Sequence, residues 1–171
     1  MDQHRIFCDL LVEETRRRLM GEGVPRIRKC LSELDEAEIW LRPNDHSNAV
    51  GNLVLHLCGN VRQWIVSTLG ERPDYRQRQL EFDERGPIPA TELMRRLDEV
   101  MSEVEEVLER LTPNAILKKY EVQGFHETGL SILVHVVEHF SYHTGQITYF
   151  VKWRKDMDVG YYEDLDLDVT S

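Results

Sequence analysis

Apolar residues recur with a helical period along most of the chain, and prolines, glycines and polar runs cut that pattern into four long segments. The first runs from about Gln3 to Leu34 and opens with Ile6, Phe7, Leu10 and Leu11 at helical spacing. Gly21, Gly23 and Pro25 interrupt it. They predict a kink or two consecutive helices, because proline lacks a backbone N–H and its ring crowds the preceding turn. Trp40-Leu41-Arg42-Pro43 is expected to be extended, since a residue before proline avoids the helical region. The second helix is predicted from about Asn48, with Ser47 or Asn48 as N-cap, to Gly70. Arg62 is its only charged residue, so most of its circumference should be buried.

The stretch from Pro73 to Gly86 is polar and charged and reads as a loop or short turn. Pro87 and Pro89 then open a third helix that reaches about Leu111. Leu93, Leu97, Val100, Val104 and Leu108 lie on one side of it and many carboxylates on the other, as in an amphipathic outer helix. A second long connection, Thr112 to Glu127, is punctuated by Pro113 and Gly124. The last helix runs from about Thr128 to Arg154, roughly 40 Å at 1.5 Å per residue. Strand patterns are nearly absent. These elements make an all-α, antiparallel bundle of four helices, a single domain over residues 1–171 whose acidic tail from Lys155 is loosely held at its end.

Composition narrows the function by exclusion. Hydrophobic residues make up 41% and charged residues 30%, ordinary for a globular protein. A net charge of −10 argues against nucleic acid, because a phosphate backbone needs a basic face. The run Arg16-Arg17-Arg18 follows Glu13-Glu14 and reads as a solvated helix face. No stretch approaches the roughly 18 apolar residues of a membrane span, and the first residues lack the apolar core of a signal peptide. Cys8, Cys30 and Cys58 are odd in number and scattered, which fits reduced thiols in the cytoplasm.

The histidines carry the candidate chemistry. His135, His139 and His143 project onto one stripe of the last helix with Ile132, Gln146, Phe150 and Trp153. Between Leu130 and Val151 the only residue that is always charged is Glu138, so the stripe is expected to face inward. In the second helix, Asn52, His56, Asn60 and Gln63 flank the apolar stripe of Val50, Leu53, Val54, Leu57, Val61 and Trp64. Imidazoles on inward faces need partners, because burying them unpaired is costly. A shared divalent metal ion supplies one, since histidines at i and i+4 lie about 6 Å apart and can converge on it. All three histidines of the last helix cannot join the same ion, as His135 and His143 are about 12 Å apart along the axis. Geometry allows His139 with either neighbour.

Three imidazoles would leave a position open for water or substrate, the pattern of catalytic zinc. The remaining histidine, Asn60 and Gln146 are candidates to hold the ligand rings by hydrogen bonds. His4, His46 and His126 fall in terminal or loop sequence, and Cys58 lies about 160° around the helix from His56. In the simpler alternative the histidines hydrogen-bond one another or hold a structural ion, and the protein is a non-enzymatic interaction module.

The segments Gly51-Asn52-Leu53-Val54-Leu55-His56-Leu57 and His135-Val136-Val137-Glu138-His139-Phe140-Ser141-Tyr142-His143-Thr144-Gly145-Gln146 resemble the DinB/YfiT-like superfamily of metalloenzymes. Trp40-Leu41-Arg42-Pro43-Asn44, Arg62-Gln63-Trp64 and Gln123-Gly124-Phe125 look like one uncharacterised branch of it, and the resemblance extends over nearly the whole chain. It implies a four-helix bundle with long crossover connections, often a homodimer. It also implies a metal triad of His56, His139 and His143, with His135 outside the ligand set and nickel or zinc as the ion. Characterised relatives include S-transferases and isomerases that use a low-molecular-weight thiol such as bacillithiol, mycothiol or glutathione. The resemblance therefore implies a metal-activated thiolate attacking a small-molecule electrophile. No separate thiol-cofactor motif is apparent. Metal-assisted hydrolysis is the alternative reaction, for which Glu138 is a poor base because it points about 100° away from His139.

Overall fold

The computed structural model describes residues 3–170 and is mostly helical. Its first rod joins α1 (Gln3–Arg16), a π-helical stretch (Arg17–Gly23) and α2 (Val24–Ser32) in direct succession. The interruption expected at Gly21, Gly23 and Pro25 thus takes the form of a π-helical stretch. Pro25 stands in the first turn of α2, where the widened hydrogen-bond pattern tolerates its missing N–H. Gly23 lets the Phe140 ring rest on the backbone, since a Cβ there would lie 2.5 Å from Phe140 Cε1. The short α3 (Glu36–Ile39) is capped by Asp35, whose carboxylate accepts the Glu38 N–H at 2.9 Å.

The second rod is α4 (Val50–Val61) continued by a π-helical stretch (Arg62–Leu69) and closed by Gly70, whose N–H donates to the Ile65 carbonyl. Its N-cap is Ala49, and neither Ser47 nor Asn48 fills that role. Asn52 replaces a capping side chain from inside the helix, its Oδ1 accepting the Ala49 N–H at 3.2 Å. The stretch expected to be a loop holds α5 (Arg78–Asp83), which buries no residue. Polar bonds fix it to the bundle. Asn52 Nδ2 donates to the carbonyls of Glu81 and Glu84, both at 2.9 Å, and Arg42 donates to that of Phe82.

The third rod, α6 (Ala90–Leu108), starts from Pro89 and buries the five aliphatic positions its pattern predicted. The following connection is ordered as α7 (Pro113–Leu117) and a hairpin of β1 (Lys119–Val122) and β2 (Phe125–Thr128). Only Val122 of this hairpin is well buried, so hydrophobic alternation gave it no signal. Thr128 caps α8 (Gly129–Lys155), accepting the Ser131 N–H at 3.1 Å.

The rods pack in two senses. Arg16 meets Glu105 and Arg28 meets Asp98, so the first rod and α6 run oppositely. His56 meets His143, and Trp64 meets His135, so the second rod and α8 also run oppositely. Gly23 against Phe140 and Cys30 against Thr148 set the first rod parallel to α8. Long connections make such parallel neighbours possible.

Two faces differ from the periodic reading. Ile6, Phe7 and Leu10 are exposed, and α1 buries Cys8, Val12 and Thr15 instead. The buried line of α8 is Ile132, Leu133, Val136, Phe140, Thr144, Ile147 and Val151. The histidine stripe lies on its flank, half-buried, and Gln146 and Trp153 are exposed. A helix without charge on most of its surface does not reveal which side packs, and this line buries at little desolvation penalty, since its one polar side chain, Thr144, donates to the Phe140 carbonyl. The chain beyond Lys155 packs back further than its acidity suggested. Val159 is in the core, and the Tyr161 hydroxyl bonds Thr148 at 2.7 Å. Among the described residues no helix is long and apolar enough to cross a membrane.

Candidate metal centre

The antiparallel contact of α4 and α8 brings together His56, His139 and His143, whose ligand atoms lie within 4.8 Å of one another. His56 Nε2 is 3.1 Å from His139 Nε2, and His143 Nε2 is 3.2 Å from the same atom. His56 is 4% exposed, and the other two are half-buried. Geometry had left His135 and His143 as equal candidates and the resemblance placed His135 outside; here its ring stacks on Trp64 at 3.9 Å. Its centroid stands 5.6 Å from that of His139.

The far sides of two rings are tied down. His56 Nδ1 lies 2.8 Å from Glu81 Oε2. Burial pushes the Glu81 carboxyl up, but hydrogen bonds from Arg76 and His56 outweigh it and hold the group below the usual carboxylate range. An ionised carboxylate only accepts, so His56 Nδ1 carries a proton, and in the neutral ring Nε2 is the lone-pair nitrogen. Arg76 Nη2 approaches the same Nδ1 at 3.2 Å because both donors aim at Glu81 Oε2. In the same way, His143 Nδ1 donates to Gln146 Oε1 at 2.7 Å and turns its Nε2 lone pair inward.

His139 Nε2 therefore faces two lone pairs and has at most one proton to offer them. Proton-sharing among the three rings leaves one repulsive contact. A single cation removes it, and both distances to His139 Nε2 are close to what one needs. Two nitrogens bound tetrahedrally at ~2.0–2.1 Å stand about 3.3–3.4 Å apart. Two buried atoms, His139 Nδ1 and Asn60 Oδ1, have no hydrogen-bond partner. With Nε2 given to a cation, His139 Nδ1 would carry the ring proton as a donor. Burial, then the neighbouring His143 and His56, pushes His139 down to about 3, so its ring is neutral and able to ligate. Burial also lowers His143 and His135.

Glu81 and Arg76 are the site residues that sequence reasoning missed. They sit in the polar stretch read as a loop, and nothing local marks them as partners of a histidine on another helix. One signal was present in Gly59, where a Cβ would collide with Glu81 Oε1. The Arg76 guanidinium completes the anchor, with Nε 2.7 Å from Glu81 Oε1 and Nη1 2.9 Å from Gln63 Oε1. Phe82 covers the His56 ring at 4.7 Å. Among the described residues no cysteine or carboxylate joins the three histidines as a fourth ligand.

The comparisons with known proteins agree with this architecture. A DinB-like protein from Bacillus cereus superposes with a TM-score of 0.61 at 16% identity, covering 81% of this chain and 89% of that one. Another, from Bacillus subtilis, gives a TM-score of 0.65 at 15% identity, covering 90% and 96%. No curated protein matches the sequence. The family described as "Protein of unknown function (DUF1572)" matches residues 11–162. With nearly its full length inside that match and its helices arranged as in DinB-like proteins, the chain belongs to the DUF1572 family.

Proposed function

We propose that this protein is an enzyme that holds one divalent transition-metal ion, nickel or zinc, on the Nε2 atoms of His56, His139 and His143 and acts on a small molecule. Thiol-dependent S-transfer is the reaction to test first. The supporting observation is the convergence of three Nε2 atoms, two of them with tautomers set by Glu81 and Gln146, and, among the described residues, no fourth histidine, cysteine or carboxylate ligand. A set of three protein ligands is the pattern of catalytic sites. When bound, the ion would supply Lewis acidity, making a thiol or water beside it a better nucleophile at neutral pH.

The chain's own residues position the rings. Glu81 and Gln146 fix His56 and His143, and the unpaired Asn60 Oδ1 is assigned to His139 Nδ1 through one bridging water. His135 supports His139 from the side by stacking, with Trp64 behind it. Hydrolysis is the second reading, since an ion that brings bound water toward a pKa of ~7 supplies its own hydroxide; neither Glu81, whose oxygens are engaged by Arg76 and His56, nor the exposed Glu138 is placed as an added base. The proposal includes a homodimer, checked by sedimentation. It also includes a cytoplasmic setting, in keeping with three free cysteines.

The test is metal analysis of purified protein, then chelation and titration with Zn2+ or Ni2+, in wild type and His56→Ala. Equal metal uptake by the two proteins would overturn the site. Metal-loaded protein is then given a thiol with a panel of electrophiles. Turnover without added thiol would point to hydrolysis. A tightly held ion whose removal unfolds the chain would point to a non-enzymatic module.

A further inference from the structure

One end of the triad is closed by the Trp64–His135 stack. Toward the other end of the same α4–α8 contact lies a cleft of about 700 Å³, within the size range of small-molecule sites. Leu53, Tyr142, Gln146, Tyr149, Phe150 and Trp153 form much of its wall. Leu53 precedes His56 by one turn, and Gln146 follows His143 by one turn. Gln146 belongs to both places, forming cleft wall while its Oε1 accepts from His143 Nδ1. The Tyr142 ring lies 5.0 Å from that of His143.

Among the described residues no lysine, arginine, aspartate or glutamate lines this cleft, and His46 is its one imidazole, although the four always-charged types make up 30% of the chain. A cleft behind Glu81, by contrast, is lined by Arg62, Arg76, Arg96, Asp74, Glu84 and Glu99, and the Arg76–Glu81 pair stands between it and the histidine nitrogens. An uncharged wall cannot compensate an ion for lost hydration, whereas exposed rings offer stacking surface. Tyr142, Tyr149 and Trp153 are each more than half exposed.

We infer that this uncharged cleft is the substrate site and that it takes a neutral aromatic molecule stacked on Tyr149 and Trp153, with one end directed toward the triad. The inference rests on the proposed metal chemistry for the reaction, but binding itself can be measured without metal. The charged parts of a thiol cosubstrate would have to stay outside the cleft.

The probe is N-phenyl-1-naphthylamine, an uncharged fluorophore, compared with its anionic relative 8-anilinonaphthalene-1-sulfonate. One saturable site per chain is expected for the neutral probe. Its affinity should fall roughly tenfold in Trp153→Ala and in Tyr149→Ser, and the anion should bind wild type at least as poorly. Both changes are at exposed positions, and circular dichroism checks that the variants fold. Unchanged metal stoichiometry in them separates this result from the fate of the metal proposal. Absent saturable binding, preference for the anion, or indifference to both variants would overturn the inference. So would a dimer that Trp153→Ala dissociates with no neutral-probe binding, since a second copy would then cover this face.

Discussion

The Glu81→Ala variant tests the centre through its supporting residues. Glu81 accepts from Arg76 Nε at 2.7 Å, from Arg76 Nη2 at 2.9 Å and from His56 Nδ1 at 2.8 Å. The side chains of Arg76, Glu81 and His56 are only 5%, 11% and 5% exposed. Alanine leaves the guanidinium without its counter-charge in this position, a loss of about 3 kcal/mol for a broken buried pair. For a domain of this size that corresponds to a fall in Tm of about 6–12 °C. A second consequence follows from tautomers. With the carboxylate gone, Arg76 Nη2 is free to donate to His56 Nδ1, which moves the imidazole proton to Nε2, the atom that must ligate. Metal affinity should therefore fall roughly 10- to 100-fold, the usual effect of losing a ligand's outer partner. Urea and thermal unfolding of the metal-free protein give the first number, and competition titration against a chelator gives the second. The double variant Arg76→Met/Glu81→Leu separates them. Apolar replacement of the whole pair should restore stability to within about 1 kcal/mol. Affinity should stay low, because leucine cannot accept the His56 Nδ1 proton. A single variant that loses less than about 1 kcal/mol and titrates metal like wild type would refute the reasoning.

Three other outcomes are expected. Gly23→Ala should lose about 1–3 kcal/mol by urea denaturation, because its Cβ would lie 2.5 Å from Cε1 of the buried Phe140. A neutral result would mean that the ring moves freely. Burial pushes the Cys58 thiol up to about 12, so at pH 8 about one part in 10⁴ is thiolate. Cys8 and Cys30 are also buried, so a thiol reagent should find no fast-reacting cysteine until denaturant is added. Stripping the ion should leave the helical circular dichroism intact, since the triad flanks a continuous aliphatic core. Metal at a thousandfold excess over Kd should then raise stability by about 4 kcal/mol, and helix loss on chelation would contradict this.

Periodicity alone determined the helices that have one aliphatic side. Leu93, Leu97, Val100, Val104 and Leu108 specify the inner face of α6, and Val50 to Trp64 that of the second rod, because apolar burial acts on each helix locally. Spacing also announced His139 with a neighbour four residues away, while residues alone left open which neighbour. Tertiary structure decided the remainder. It turned the histidine stripe of α8 to the flank of the core, ordered 113–128 as a helix and hairpin, and set Glu81 and Arg76 behind His56. Those placements depend on groups far apart in sequence meeting at hydrogen-bond distance. A carboxylate in α5 shows no local sign that it will face an imidazole in α4, because its position comes from Asn52 and Arg42 binding the backbone around it.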